Sequence, residues 1–138
     1  MNTFGILGLG FISKKHIEAI QANNGKITAV YDIRHVLGFD DDVRNYSGKK
    51  MEAFLSDDSY EWLVICLPNY LHYSVIFEAI EQYGKKKIIC EKPLCLTEEE
   101  YDHLLSYEEE GIEIYTTFQL RSTGRYSIVI YLPPLEFH

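Results

Sequence analysis

The residues Gly8-Leu9-Gly10-Phe11-Ile12-Ser13 form a short turn of glycine, apolar and small residues near the start of the chain. The first glycine of such a turn permits a tight bend, and the second lets backbone N–H groups come up against a pyrophosphate. A helix opening at this point adds the partial positive charge of its N-terminus. Ser13 stands where a third glycine usually falls and is still small enough for close helix–strand packing. Asp32 follows roughly 20 residues on, where a carboxylate accepts the hydroxyls of an adenosine ribose and repels a 2′-phosphate. The pair predicts a dinucleotide site that prefers NAD to NADP. Arg34 complicates that preference, because a nearby arginine accommodates a 2′-phosphate. The plain alternatives are a structural strand-to-helix turn and a strand-ending acid.

Two further segments leave apolar runs with polar groups attached. In Cys66-Leu67-Pro68-Asn69-Tyr70-Leu71-His72, Pro68 stops sheet pairing. Asn69 or His72 then reaches a cofactor ribose or nicotinamide; Asn69 also suits a helix cap, and His72 equally suits a solvated helix face. In Cys90-Glu91-Lys92-Pro93 a lysine at a strand end can hydrogen-bond a substrate hydroxyl. Burial can bring such a lysine into proton-transfer range, with Glu91 orienting it. A surface Glu–Lys pair is the ordinary explanation.

The elements that must position these residues follow from hydrophobic pattern. Apolar runs predict strands over residues 4–7, 27–31, 62–67, 87–90 and 112–115. Helices are predicted over 11–22, with Ile12, Ile17 and Ile20 near helical spacing, over 49–55, and over 70–83. The last of these carries Leu71, Val75, Ile76, Ala79, Ile80 and Tyr83 on one stripe. Thr97 with Glu100 reads as a capping box that opens another helix, and Gly111 ends it. Residues 33–48 predict no element. Strands apolar on both faces, alternating with helices, indicate an α/β Rossmann fold with a doubly wound parallel sheet. Ligands of such sheets bind beyond the carboxyl ends of the strands.

Composition narrows the partners. The chain has 138 residues, 46% hydrophobic and 25% charged, a globular balance. Its net charge of −8 argues against nucleic acid, and the basic run Lys85-Lys86-Lys87 reads as a solvated turn. Cys66, Cys90 and Cys95 lack metal-ligand spacing and suit reduced thiols in a cytoplasmic protein. No run approaches the ~20 apolar residues of a membrane span, and no signal peptide is expected at the N-terminus.

The stretches GILGLGFISKKH at 5–16, CLPNYLHY at 66–73 and CEKPL at 90–94 resemble the Gfo/Idh/MocA oxidoreductases. Within that family, VYDIRHVLGFDD at 30–41 and YTTFQLR at 115–121 look most like the UDP-N-acetylglucosaminuronate 3-dehydrogenases of surface-polysaccharide biosynthesis. The resemblance implies an NAD-binding Rossmann domain over residues 1–121. It implies hydride transfer between the nicotinamide and a carbon of a sugar or UDP-sugar. In the turn, Gly8, Leu9, Gly10, Phe11 and Ile12 are expected to hold the cofactor, with Asp32 and Arg34 at the ribose. Cys66, Leu67, Pro68, Asn69 and His72 form the next expected group, followed by Glu91, Lys92 and Gln119. Lys92 is the expected catalytic residue, assisting the substrate hydroxyl or its proton before a cis peptide bond to Pro93. No metal is expected.

Family members carry a second, mostly antiparallel domain that supplies a catalytic histidine. Residues 122–138 look like a remnant of its first strand, so a shortened chain that binds NAD without full activity is expected. His138 cannot be carried over as that histidine. The tail, 126–132, has strand composition, and pairing between two copies is favoured over pairing with its own sheet or disorder. The rivals are a non-catalytic NAD-binding assembly module and an NADP-dependent reductase of small carbonyls.

Overall fold

The computed structural model describes residues 1–122 and 125–130, with side chains as far as Thr117. The chain divides into two compact units, Met1–Leu67 and Pro68–His138.

The first unit is built on β1 (Thr3–Leu7), which pairs in parallel with β2 (Lys26–Tyr31) on one side and β4 (Trp62–Ile65) on the other. The registers Leu7↔Tyr31 and Leu7↔Ile65 bring the carboxyl ends of these strands level. Ile6, Leu7, Val30, Leu63, Val64 and Ile65 are all fully buried, as strands covered on both faces require. Gly5 is demanded by packing: a Cβ there would lie 2.6 Å from the Tyr60 ring. That ring stacks on Phe54 of α2 (Met51–Leu55) at 5.0 Å. Helix α1 (Phe11–Ala22) buries Ser13, His16 and Ile20. Ile12 and Ile17 are only half-buried, so the core-facing stripe is more polar than the apolar spacing suggested.

Within the segment that carried no predicted element lies β3 (Arg44–Asn45), parallel to β2. Polar side chains hold it rather than apolar ones. Asn45 Nδ2 donates to Val36 O at 2.7 Å, and Ser47 Oγ accepts from Val36 N at 2.9 Å. Asp57, whose side chain is fully buried, accepts from Tyr46 Oη at 2.5 Å, Ser59 N at 2.7 Å and Arg44 at 3.3 Å.

The second unit opens with a 3₁₀ turn, Asn69–Leu71, that runs into α3 (His72–Tyr83). Helix α3 buries Val75, Ile76, Ala79 and Ile80 and stops at Gly84, whose φ of 66° suits glycine. Next comes β5 (Lys87–Glu91), then α4 (Glu98–Glu109). Thr97 caps α4 by accepting from Glu100 N at 3.1 Å. The Glu100 carboxylate answers at Leu96 N, 2.8 Å, one residue upstream of the reciprocal bond of a capping box. Glu98, Glu99 and Glu100 in the first turn complement the helix dipole.

Strand β6 (Glu113–Ser122) is parallel to β5 and runs beyond the predicted end at residue 115. It pairs antiparallel with β7 (Arg125–Ile130), from Thr117↔Ile130 to Ser122↔Arg125. The tail segment, as far as Ile130, pairs with β6 of its own chain, an alternative that the sequence reading did not favour. The short sequence separation makes that local closure cheap in entropy. Residues 131–138, including the rest of the predicted tail strand and His138, lie outside the described residues. The parallel pairings β1–β2, β1–β4, β2–β3 and β5–β6, with intervening helices, make this an α/β Rossmann fold, with a short extra C-terminal β segment.

Candidate functional site

In the first unit the predicted turn sits where β1 gives way to α1. Gly8 has φ 102°, and its N–H donates to Tyr31 O at 2.8 Å. A Cβ there would stand 2.7 Å from Cys66 O and 3.3 Å from the Leu67 side chain. Both backbone conformation and packing therefore require glycine at 8. Gly10 is different. Its φ is −80°, and a Cβ on it would meet no atom within 4 Å. Nothing in the described chain needs glycine at 10, and the space it leaves open faces the start of α1. Gly10 also gives α1 no side-chain cap, so the first-turn N–H groups have no side-chain acceptor there. Ser13 Oγ donates to Gly10 O at 2.6 Å and fixes the turn from within. Phe11 is exposed and Ile12 half-buried. This shape fits a pyrophosphate laid on a helix N-terminus.

Asp32 follows the carboxyl end of β2. Its Oδ2 accepts from Leu9 N at 2.7 Å, tying the acid to the glycine turn. Its Oδ1 accepts from Arg34 N at 2.9 Å and Arg34 Nε at 3.0 Å. Burial opposes ionisation of this carboxyl, but the hydrogen bonds from Arg34 and Leu9 outweigh it and hold it below the usual carboxylate range. The Arg34 guanidinium spans Asp32 Oδ2 and Leu9 O, each at 3.3 Å. Arg34, the residue that complicated the NAD preference, is here a partner of the acid. Cys66 is buried, with its carbonyl under Gly8 and its N–H on Leu7 O at 2.8 Å. Gly8, Leu9, Gly10, Asp32, Arg34, Cys66 and Leu67 thus gather at the carboxyl ends of β1, β2 and β4.

In the second unit Pro68 and Asn69 are exposed. Asn69 begins the 3₁₀ turn and makes no cap: α3 has Leu71 at its N-cap and no side-chain cap hydrogen bond. The capping expectation fails because the extra turn moves the start of α3 past Asn69. His72 is fully buried, so its solvated-face reading is also corrected. Its Nδ1 lies 2.6 Å from Pro93 O. A carbonyl can only accept, so Nδ1 carries the proton and donates.

Lys92 follows the carboxyl end of β5, is exposed, and precedes a cis bond to Pro93. The burial argued for this lysine is therefore absent, while the turn that carries it is braced through His72. Glu91 is half-buried and lies opposite Thr117 on β6. Thr116 Oγ1 donates to Cys90 O at 3.1 Å. Thr117 Oγ1 is buried with no hydrogen-bond partner among the described residues. Thr117 falls within YTTFQLR at 115–121, the stretch that carried the subgroup resemblance, but was not itself named as a site residue. Gln119 takes the register position opposite Ile128. Among the described residues no cluster of His, Cys, Asp or Glu could hold a metal ion, and no helix is long and apolar enough to cross a membrane.

Residues 2–118 match the family model of the Gfo/Idh/MocA proteins, described as an oxidoreductase family with an NAD-binding Rossmann fold. The chain is 26% identical over 114 residues to the 2,7-anhydro-N-acetylneuraminate hydratase of Escherichia coli K12, spanning 81% of this chain and 30% of that protein. It is 30% identical over 122 residues to the uncharacterized oxidoreductase YrbE of Bacillus subtilis, spanning 85% of this chain and 35% of that one. Among solved structures it resembles the WlbA (WbpB) dehydrogenase of Thermus thermophilus in complex with NAD and UDP-GlcNAcA. That likeness has a TM-score of 0.72 at 29% identity and covers 84% of this chain and 41% of the other. The chain thus spans well under half the length of these relatives. The match of the family model, over nearly all the described residues, places the chain in the Gfo/Idh/MocA oxidoreductase family, with NAD as the cofactor of its Rossmann fold.

Proposed function

We propose that the chain is the cofactor-binding part of an NAD-dependent dehydrogenase acting on a sugar or nucleotide-sugar carbon. The carbon we assign is C3 of UDP-N-acetylglucosaminuronate or a close analogue. The observation that carries this reading is the contrast between Gly8 and Gly10. The protein itself requires the first, and nothing in the described chain requires the second, which leaves that space open to a molecule laid against the turn. The solved relative whose complex holds NAD and UDP-GlcNAcA supports the choice of substrate. The relative named a hydratase shows that family membership alone does not fix the net reaction.

In this reading Gly8, Leu9, Gly10, Phe11 and Ile12 hold the pyrophosphate, and Asp32 and Arg34 meet the adenosine ribose. Cys66, Leu67, Pro68, Asn69 and His72, together with Glu91, Lys92 and Gln119, are the remaining cofactor and substrate contacts that the family resemblance implies. The bound nicotinamide supplies the hydride acceptor. Lys92 would assist the substrate hydroxyl, its ammonium donating a hydrogen bond to the oxygen while the hydroxyl proton passes to solvent water and the hydride to the nicotinamide. His72 holds the Pro93 carbonyl and so fixes the turn on which Lys92 stands. Residues 1–121 make the cofactor domain, and 122–138 contribute the first strand of a substrate-binding domain. The thiols Cys66, Cys90 and Cys95 suit a cytoplasmic setting.

A second reading, assembly of two copies, is favoured by one observation. Among the described residues β7 pairs on one side only, with β6. Its other edge is a template for a second strand. Light scattering of the chain with and without residues 123–138 tests this, and an unchanged assembly state removes the tail as the interface. The cofactor reading is tested by calorimetric titration with NAD, NADP and UDP-sugars. NAD is expected to bind more tightly than NADP, and equal or tighter NADP refutes the role given to Asp32.

A further inference from the structure

The Asp32 carboxylate is saturated in this structure. A carboxylate offers about four acceptor sites on its two oxygens. On Oδ1 these go to Arg34 N and Arg34 Nε; on Oδ2 they go to Leu9 N and the terminal Arg34 nitrogen. Take the Arg34 side chain away, and both backbone donors stay while one site opens on each oxygen. Two adjacent open sites, one per oxygen, match a vicinal diol. The guanidinium is also pinned across the glycine turn by its bond to Leu9 O at 3.3 Å. Its side chain is 65% exposed, against 10% for Asp32, so it can leave without disturbing the core.

From this geometry we propose that the Arg34 side chain is a built-in substitute for the ribose diol, and that its displacement from Asp32 is a step in binding NAD. The proposal rests on the cofactor reading above and deepens it. Arg34 is then a specificity-determining residue. It competes with the hydroxyls of NAD for Asp32, and once displaced it stands beside the 2′ position, where a phosphate gives it a new partner. It therefore weakens NAD and narrows the preference over NADP. Because the guanidinium is largely exposed to solvent, the competition is modest, about two- to five-fold in dissociation constant.

The test is calorimetric titration of the wild-type chain, Arg34→Ala and Arg34→Gln with NAD and with NADP. Both variants should bind NAD about two- to five-fold more tightly than wild type, with no gain for NADP. A second measurement follows the Arg34 Nε–H resonance by NMR. It should be protected in the free chain and lose that protection as NAD is added. Unchanged or weaker NAD binding in both variants overturns the proposal, since Arg34 would then be inert or a direct cofactor contact. Persistence of the protected resonance with NAD bound overturns it as well. Wild type that takes up neither dinucleotide overturns the cofactor reading itself, a result distinct from the others.

Discussion

Gly8 and Gly10 lie two residues apart in one turn, yet alanine should do opposite things at the two positions. Gly8→Ala puts a Cβ on a backbone with φ 102°, 2.7 Å from the Cys66 carbonyl oxygen. A non-glycine residue held at positive φ costs about 1–3 kcal/mol, and the close carbonyl adds to that because Cys66 is fixed in the sheet edge. At roughly 3–5 °C per kcal/mol for a chain of this size, Gly8→Ala should lose about 5–15 °C in Tm. Gly10→Ala adds a Cβ that meets nothing within 4 Å, at an ordinary φ of −80°. Its Tm should stay level or rise slightly, since alanine restricts the unfolded chain by about 0.4–1 kcal/mol. NAD affinity should behave in reverse, with Gly10→Ala weakening it at least about ten-fold, or about 1.4 kcal/mol. Thermal unfolding and calorimetric titration of both variants make the comparison. Gly10→Ala that binds NAD like wild type would refute the pyrophosphate reading of the turn. Gly8→Ala that melts with wild type would refute the packing argument.

Other expectations concern the supports of the site. The buried Asp57 carboxyl is held down to about 2, from 3.8, by hydrogen bonds from Tyr46, Ser59 and Arg44 that outweigh the opposing effect of burial. Its folded value is depressed, so its contribution of about 2 kcal/mol is present above pH 4 and is lost as pH falls towards 2. Acid titration of Tm for wild type and Asp57→Asn should show the variant with a shallower fall across that window, and parallel curves refute the assignment. Gly5→Ala would set a Cβ 2.6 Å from the Tyr60 ring, and overpacking of about 1–3 kcal/mol should appear in urea unfolding. No change in its midpoint means the ring moves freely. His72→Ala empties a fully buried position and leaves Pro93 O without its donor, so it should cost about 2–4 kcal/mol by the same assay. A loss under about 0.5 kcal/mol would show that His72 braces nothing.

The parallel strands were legible because each is a continuous apolar run, and the glycine turn because its neighbours are a strand and a helix. The parts that escaped have other physics. Strand β3 is only Arg44–Asn45, and it is held by side-chain bonds from Asn45 and Ser47 to the backbone of Val36. No periodicity records such bonds. Strand β6 continues past Tyr115 through TTFQLRS, which holds no continuous apolar run, and there it forms its ladder with β7. At the site, residue types were visible and their partners were not. His72 was read equally as a cofactor contact and as a solvated helix residue, yet it is buried against the Pro93 carbonyl. That partner lies 21 positions away in sequence. Arg34 complicated the NAD preference as a residue able to accommodate a 2′-phosphate, and its pairing with Asp32 leaves no trace in the sequence pattern.

Asp32 and Asp57 show why residue type alone does not locate a site. Each is a buried carboxylate that accepts the backbone N–H two residues on, Arg34 N or Ser59 N, and each is paired with a largely exposed arginine. In sequence the two are equivalent acids beside a turn. The difference lies in what remains when the arginine is removed. Asp57 keeps the Tyr46 hydroxyl and the Ser59 N–H, its side chain has no exposure, and it sits in the loop leading into the amino end of β4. Through Arg44, Tyr46 and Ser59 its charge ties β3 to the neighbouring loops. Asp32 keeps two backbone donors, retains 10% exposure, and sits beyond the carboxyl end of β2 beside the open space at Gly10. Ligands of parallel sheets bind at carboxyl ends, so the same chemistry is structural at one edge and receptive at the other.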